Sequence, residues 1–189
     1  MKNKVLLIFF ITGLFSQVHS QSSPFLGYDR VAWGTSIDAV RTTYNMGDEV
    51  EVTEFDDEPN IVQLTQRNVS STINSRDFMF NRWNSNDFRL YRVIVYYRVG
   101  SIELDALRRV LESSYGSSTG TDYRTEETSS VIMNQTVTIF DRFSPDILVE
   151  LMVQRERYKS NFEERGTFFS VWYTWKTYRD AYQNSRVEL

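Results

Sequence analysis

The chain has no cysteine, and its one histidine is His19. Without thiols there is no cysteine nucleophile and no disulfide. With imidazole confined to position 19, a Ser-His-Asp triad and a His/Cys zinc or haem site are excluded from the rest of the chain. Catalysis would have to rest on carboxylates, tyrosine or lysine, as in glycosidases. Lysine is scarce as well: beyond residue 20 only Lys159 and Lys176 remain, and the other basic residues are arginines. Proline occurs three times in 189 residues. No apolar run after the N-terminal one is long enough to cross a bilayer, which takes roughly 20 residues. No motif for a metal or cofactor is present, and none is expected.

The N-terminus reads as an export signal. Lys2 and Lys4 give a positive start, Val5–Ser16 is apolar, and Val18 and Ser20 occupy the small-residue positions of a cleavage site. Cleavage between Ser20 and Gln21 is expected, leaving a signal peptide over 1–20 and one domain over 21–189; an uncleaved anchor is the alternative. Acylation is excluded for lack of a cysteine. Loss of Lys2 and Lys4 takes the formal charge from −4 to −6. An acidic chain of this kind does not suit nonspecific nucleic-acid binding, which requires a basic surface. The expected location is periplasmic or secreted, with no membrane span in the mature chain.

Periodicity alternates between helix and strand. Thr35 or Ser36 can cap a helix whose apolar face is Ile37, Val40 and Tyr44, ending near Gly47. Residues 61–70, 77–83 and 88–99 read as strands, with a tight turn at 84–87. In the third, Tyr91, Val93, Val95, Tyr97 and Val99 share a face opposite Leu90, Arg92, Ile94, Tyr96 and Arg98. Ser101 is expected to cap a second helix with a Leu104, Leu107, Leu111 stripe, stopped by Gly116. Residues 117–130 read as a polar loop, then 131–140, 146–158 and 167–177 as strands, and 178–189 as a weak helix or tail. This predicts an α+β fold: an antiparallel sheet of six to seven strands with both helices on one face. Ser36-Ile37-Asp38 and Ser101-Ile102-Glu103 open the two helices alike. That suggests two α-then-β halves, although two capped amphipathic helices resemble each other by chance as well.

The stretches "WGTSIDAVRTTY", "YRVIVYY" and "SSYG", within residues 28–116, resemble a pattern in uncharacterised exported bacterial proteins, spirochaete envelope proteins among them. In outline the arrangement is also similar to the small lipoprotein of outer-membrane assembly and to the tandem-repeat β-lactamase inhibitor protein. Those likenesses imply binding of other proteins rather than catalysis. The chain lacks the lipidated cysteine of the one and the disulfides of the other, so no binding residue carries over.

Four features compete for a functional role. Residues 48–58 hold seven acids in eleven positions. They lack the alternating pattern and central glycine of an EF-hand, and read as a solvated acidic edge or loop. Glu126-Glu127 and Glu163-Glu164 are acid pairs in expected loops. Asn68 and Asn134 match glycosylation acceptors within expected strands. The aromatic run "FFSVWYTWKTY" puts Phe169, Val171, Tyr173 and Trp175 on one face of a strand, and Phe168 and Trp172 on the other. An aromatic strand of this kind is either covered or forms a contact surface, so Trp172, Trp175, Phe168 and Tyr173 are the candidate binding residues. Trp33, beside Gly34, reads as a core anchor. The expected function is a noncatalytic exported domain that binds a protein or envelope component. The alternatives are a carboxylate-based hydrolase and a binder of a small apolar ligand.

Overall fold

The computed structural model describes residues 27–47, 50–82, 87–177 and 179. The expected signal peptide, the Ser20–Gln21 cleavage site, Asp48 and Glu49, most of the turn at 84–87 and nearly all of the tail lie outside them.

A two-stranded hairpin, β1 (Gly27–Tyr28) and β2 (Val31–Ala32), leads into helix α1 (Ile37–Thr43). Ser36 is its N-cap, accepting a hydrogen bond from the Ala39 amide. Four strands follow: β3 (Glu51–Glu54), β4 (Ile61–Arg67), β5 (Ile73–Asn81) and β6 (Arg89–Tyr97). Helix α2 (Leu104–Tyr115) then precedes β7 (Gly120–Glu127), β8 (Val131–Phe140), β9 (Ile147–Tyr158) and β10 (Glu164–Trp175). All eight strands form one antiparallel sheet in the order β3-β4-β5-β6-β10-β9-β8-β7. Each half is a helix followed by a four-stranded meander, and the halves join edge to edge through β6 and β10. The order is the one a pseudo-twofold between those two strands produces.

Both helices pack on the same side. Val40 and Tyr44 sit on Leu64, Phe78, Phe80, Leu90, Val93 and Val95. Leu107 and Leu111 sit on Phe140, Ile147, Val149, Leu151 and Val171. Val95 and Val171 are direct cross-strand partners, which puts the two clusters on one face. Trp33, Tyr97 and Tyr173 pack against both. Gly34, at φ +81°, lets the chain turn so that its amide donates to the Leu90 carbonyl at 2.9 Å, while Leu90 returns a bond to Thr35. Trp33 is thereby held over the junction of the two clusters.

The sheet corrects the expected strand count. The two strands missed are its edges. β3 lies inside the acidic stretch and β7 inside the expected polar loop, so Glu126 and Glu127 belong to a strand rather than a loop. Edge strands are solvated on most positions and show no apolar alternation; their pairing with β4 and β8 comes from the partner strand. Glu164 likewise begins β10, while Asn68 lies just beyond β4 at positive φ.

The parity expected for β6 also changes. Phe80 pairs with Leu90 but Met79 pairs with Arg92, so Tyr91 is the extra residue of a bulge. Leu90 therefore joins Val93 and Val95 on the helix-covered face, instead of lying opposite them. Ser101 does not cap α2: its hydroxyl donates to the Arg98 and Thr72 carbonyls, and Glu103 is the N-cap. The two Ser-Ile-acid triplets thus occupy different helical positions. The two halves match in topology, not in that motif.

Phe78 has no exposed surface and lies beneath the Tyr44 ring at 5.0 Å. Phe78→Ala is expected to cost about 3–5 kcal/mol. Urea unfolding should show a lower midpoint at unchanged slope; a loss under about 1 kcal/mol would contradict this packing.

Candidate binding face

The four aromatic candidates do not form one surface. Tyr173 and Trp175 turn toward the helices. The Tyr173 ring lies 5.0 Å from Tyr28 and 6.3 Å from Tyr115, and Trp175 packs against the α2 cluster. Burial pushes the Tyr173 and Tyr28 hydroxyls well above the ordinary tyrosine range. Tyr44 is pushed up to about 12 by burial and then by the nearby Asp29 carboxylate. The Arg76 guanidinium rests over the Tyr44 and Tyr28 rings at 5.3 and 5.9 Å and pairs with Asp29 at 3.7 Å. These aromatics are core.

Trp172 and Phe168 turn the other way, to the face on which neither helix packs. Strand register sets their neighbours. Trp172 lies opposite Ile94 and Glu150, Ser170 opposite Tyr96 and Met152, and Phe168 opposite Gln154, which is itself opposite Gln135. The indole N–H of Trp172 donates to Ser170 Oγ at 3.0 Å. The Arg92 guanidinium lies 5.1 Å from the centre of the indole and donates through Nε to Thr174 Oγ1 at 3.1 Å. Arg92 pairs with Thr174, so it covers Trp172 from the side away from Ser170 and Phe168.

On the Phe168 side lies a cavity of about 400 Å³, lined by Trp172, Phe168, Tyr96, Met152 and a row of polar side chains. That row is hydrogen-bonded in series. Gln135 donates to Gln154 at 3.0 Å, Gln154 donates to Glu156 at 2.7 Å, and Arg165 donates to the other Glu156 oxygen at 2.9 Å. Gln135, Glu156 and Ser170 are all less than a tenth exposed. Sequence reading missed this row, because Gln135 and Gln154 are unremarkable until register stacks them. The only available signal was the outward parity of Gln154 and Glu156 on β9.

A second cavity of about 270 Å³ shares Tyr96 and Phe168 with the first and extends to Thr65, Asp77 and Glu51. Asp77 accepts from the Thr65 hydroxyl at 2.8 Å, and the Tyr96 hydroxyl also bonds to it. Burial raises its carboxyl above the usual range, while the bonds from Thr65 and Tyr96 oppose that shift. Glu51 is ion-paired with Arg67. The two acids of this cavity are therefore already engaged by protein partners. Among the described residues no three His, Asp or Glu side chains gather to hold a metal ion, and no helix is long and apolar enough to cross a membrane.

Comparison with known proteins returned no matching family model, no matching curated protein and no matching solved structure. What the fold and site define is a class by architecture: among the described residues, an eight-stranded antiparallel sheet with one helix-covered face and one aromatic-polar face on which neither helix packs.

Asp77 supplies a test of the site's electrostatics. Its raised folded value means that the folded chain holds this proton more tightly than the unfolded chain, whose aspartates titrate near 3.9. The stability so contributed is complete below the unfolded value and is lost as pH rises through the folded one. Relative to Asp77→Asn, the wild type should lose stability in urea titrations as pH rises above the ordinary aspartate value of about 3.9. A difference that stays flat or grows in favour of the wild type would reject this account of the site.

Proposed function

We propose that the chain is a noncatalytic exported domain, periplasmic or secreted, that binds a protein or other envelope component on the open face of its sheet. The observation that carries this reading is the division of the β10 aromatics. Tyr173 and Trp175 are used inside the fold, whereas Trp172 and Phe168 stand on a face that neither helix covers, and Phe168 is 38% exposed. An aromatic pair that the core does not use is a contact surface in waiting. The export features of residues 1–20 and the absence of thiol and imidazole chemistry beyond them support the same reading.

The alternatives have weaker support. A hydrolase needs two free acids facing a substrate, whereas Asp77 and Glu51 are bonded to Thr65 and Arg67, and at the larger cavity Glu156 is paired with Arg165, which leaves Glu126 there as a single acid. An apolar ligand held between helices and sheet would need space that Phe78, Phe80, Phe140, Leu64 and Leu151 fill.

The test uses residues 21–189 as bait, crosslinked in intact cells of the source organism. One envelope component should be recovered repeatedly and lost with Trp172→Ala, provided circular dichroism shows the variant folded. Val110→Ala, on the exposed side of α2, should leave recovery unchanged. Recovery that is absent, or indifferent to Trp172, would overturn the reading.

A further inference from the structure

We infer that the open face takes a neutral saccharide chain, seated across the two adjoining cavities with sugar rings against Trp172 and Phe168. This inference rests on the binding reading above and names its ligand class.

The lining carries the inference. A pyranose ring has an apolar C–H face and a rim of hydroxyls. It is bound by an aromatic surface beside planar groups that both donate and accept. The larger cavity offers that pairing. Trp172 and Phe168 supply the aromatic surfaces, Gln135 and Gln154 supply planar amides, and Glu156 supplies an acceptor carboxylate. Arg92 covers the Thr174 side of the indole, leaving the side toward Ser170 and Phe168 to the cavity. The polar row is fixed before any ligand arrives, since each member is bonded to the next and Arg165 anchors its end. Preorganised groups of this kind lower the entropy cost of binding.

Charge and composition decide among ligands. Both the arginine and the buried acid at the cavity pair within the protein, Arg124 with Asp122 at 2.8 Å and Glu156 with Arg165 at 2.9 Å, and the remaining charged group of the lining, Glu126, is an acid. No cationic cluster remains for a polyanion, which favours a neutral chain. A protein partner calls for an apolar centre poor in charge, whereas amides and a carboxylate form the middle of this face. The second cavity shares Tyr96 and Phe168 with the first, so the site accommodates a chain longer than one sugar.

The experiment titrates residues 21–189 with hexamers of neutral hexoses and N-acetylhexosamines, α- and β-linked, followed by calorimetry and tryptophan fluorescence. At least one hexamer should bind with a dissociation constant below about 1 mM, and more tightly than its monomer. Trp172→Ala and, separately, Phe168→Ala should each weaken binding about tenfold or more in folded protein. Gln154→Leu should weaken it without removing either ring. If no hexamer binds, yet crosslinking recovers a protein in a Trp172-dependent way, the saccharide inference falls and the binding reading stands. If neither occurs, both fall. Saccharide binding untouched by Trp172→Ala and Phe168→Ala would also overturn the inference.

Discussion

The pairing of β6 with β10 is the constraint on which the molecule depends. Five cross-strand pairs, from Ser170–Tyr96 to Thr174–Arg92, join two meanders that otherwise contact each other little. Antiparallel pairing fixes side-chain parity as well as distance. Because Val95 meets Val171 on one face, the cores under α1 and α2 become neighbours. Because Trp172 meets Ile94 and Ser170 meets Tyr96 on the other, the open face runs unbroken across both halves. A one-residue slip between β6 and β10 would send Trp172 into the core and Tyr173 out of it.

The helix-covered face shows how that joint is sealed. Trp33, Tyr97 and Tyr173 pack against both clusters, so each half supplies part of the other's cover. Beside this seam Tyr28 and Tyr44 lie under the Arg76 guanidinium, which pairs with Asp29. The turn at Gly34 and its bonds to Leu90 hold Trp33 in place. Trp33 and Gly34 thus act as a structural device at the seam.

Much of this was legible in the sequence because apolar spacing reports the buried face of an element. Val40 and Tyr44 marked α1, Leu107 and Leu111 marked α2, and the two-residue alternation of β6 placed Val93 and Val95 on one face. The division of Phe169, Val171, Tyr173 and Trp175 from Phe168 and Trp172 was readable for the same reason. What was not legible depends on partners. β3 and β7 are strands because β4 and β8 pair with them, not because their own residues alternate. The bulge at Tyr91 shifts Leu90 across the sheet through its pairing with Phe80, which local pattern does not encode. The row Gln135–Gln154–Glu156 exists only once β8, β9 and β10 are in register.

The open face is therefore a product of register rather than of any motif, and this bears on its chemistry. A sheet face left to solvent normally carries alternating polar residues and no design beyond solubility. Here buried Met152, Ile94 and Val137 lie beneath half-exposed rings, while the polar groups among them are hydrogen-bonded to one another. Bonded in this way, Gln135 and Glu156 are nearly closed to water although they belong to the uncovered face. Polar groups held this rigidly have little further freedom to lose when a ligand binds beside them. Had solubility alone been required, flexible lysines and glutamates would have served. Fixed amides beside Trp172 and Phe168 set this face apart from the acidic edge at β3 and the exposed strand β7, and on that ground it is the face on which we propose ligand binding.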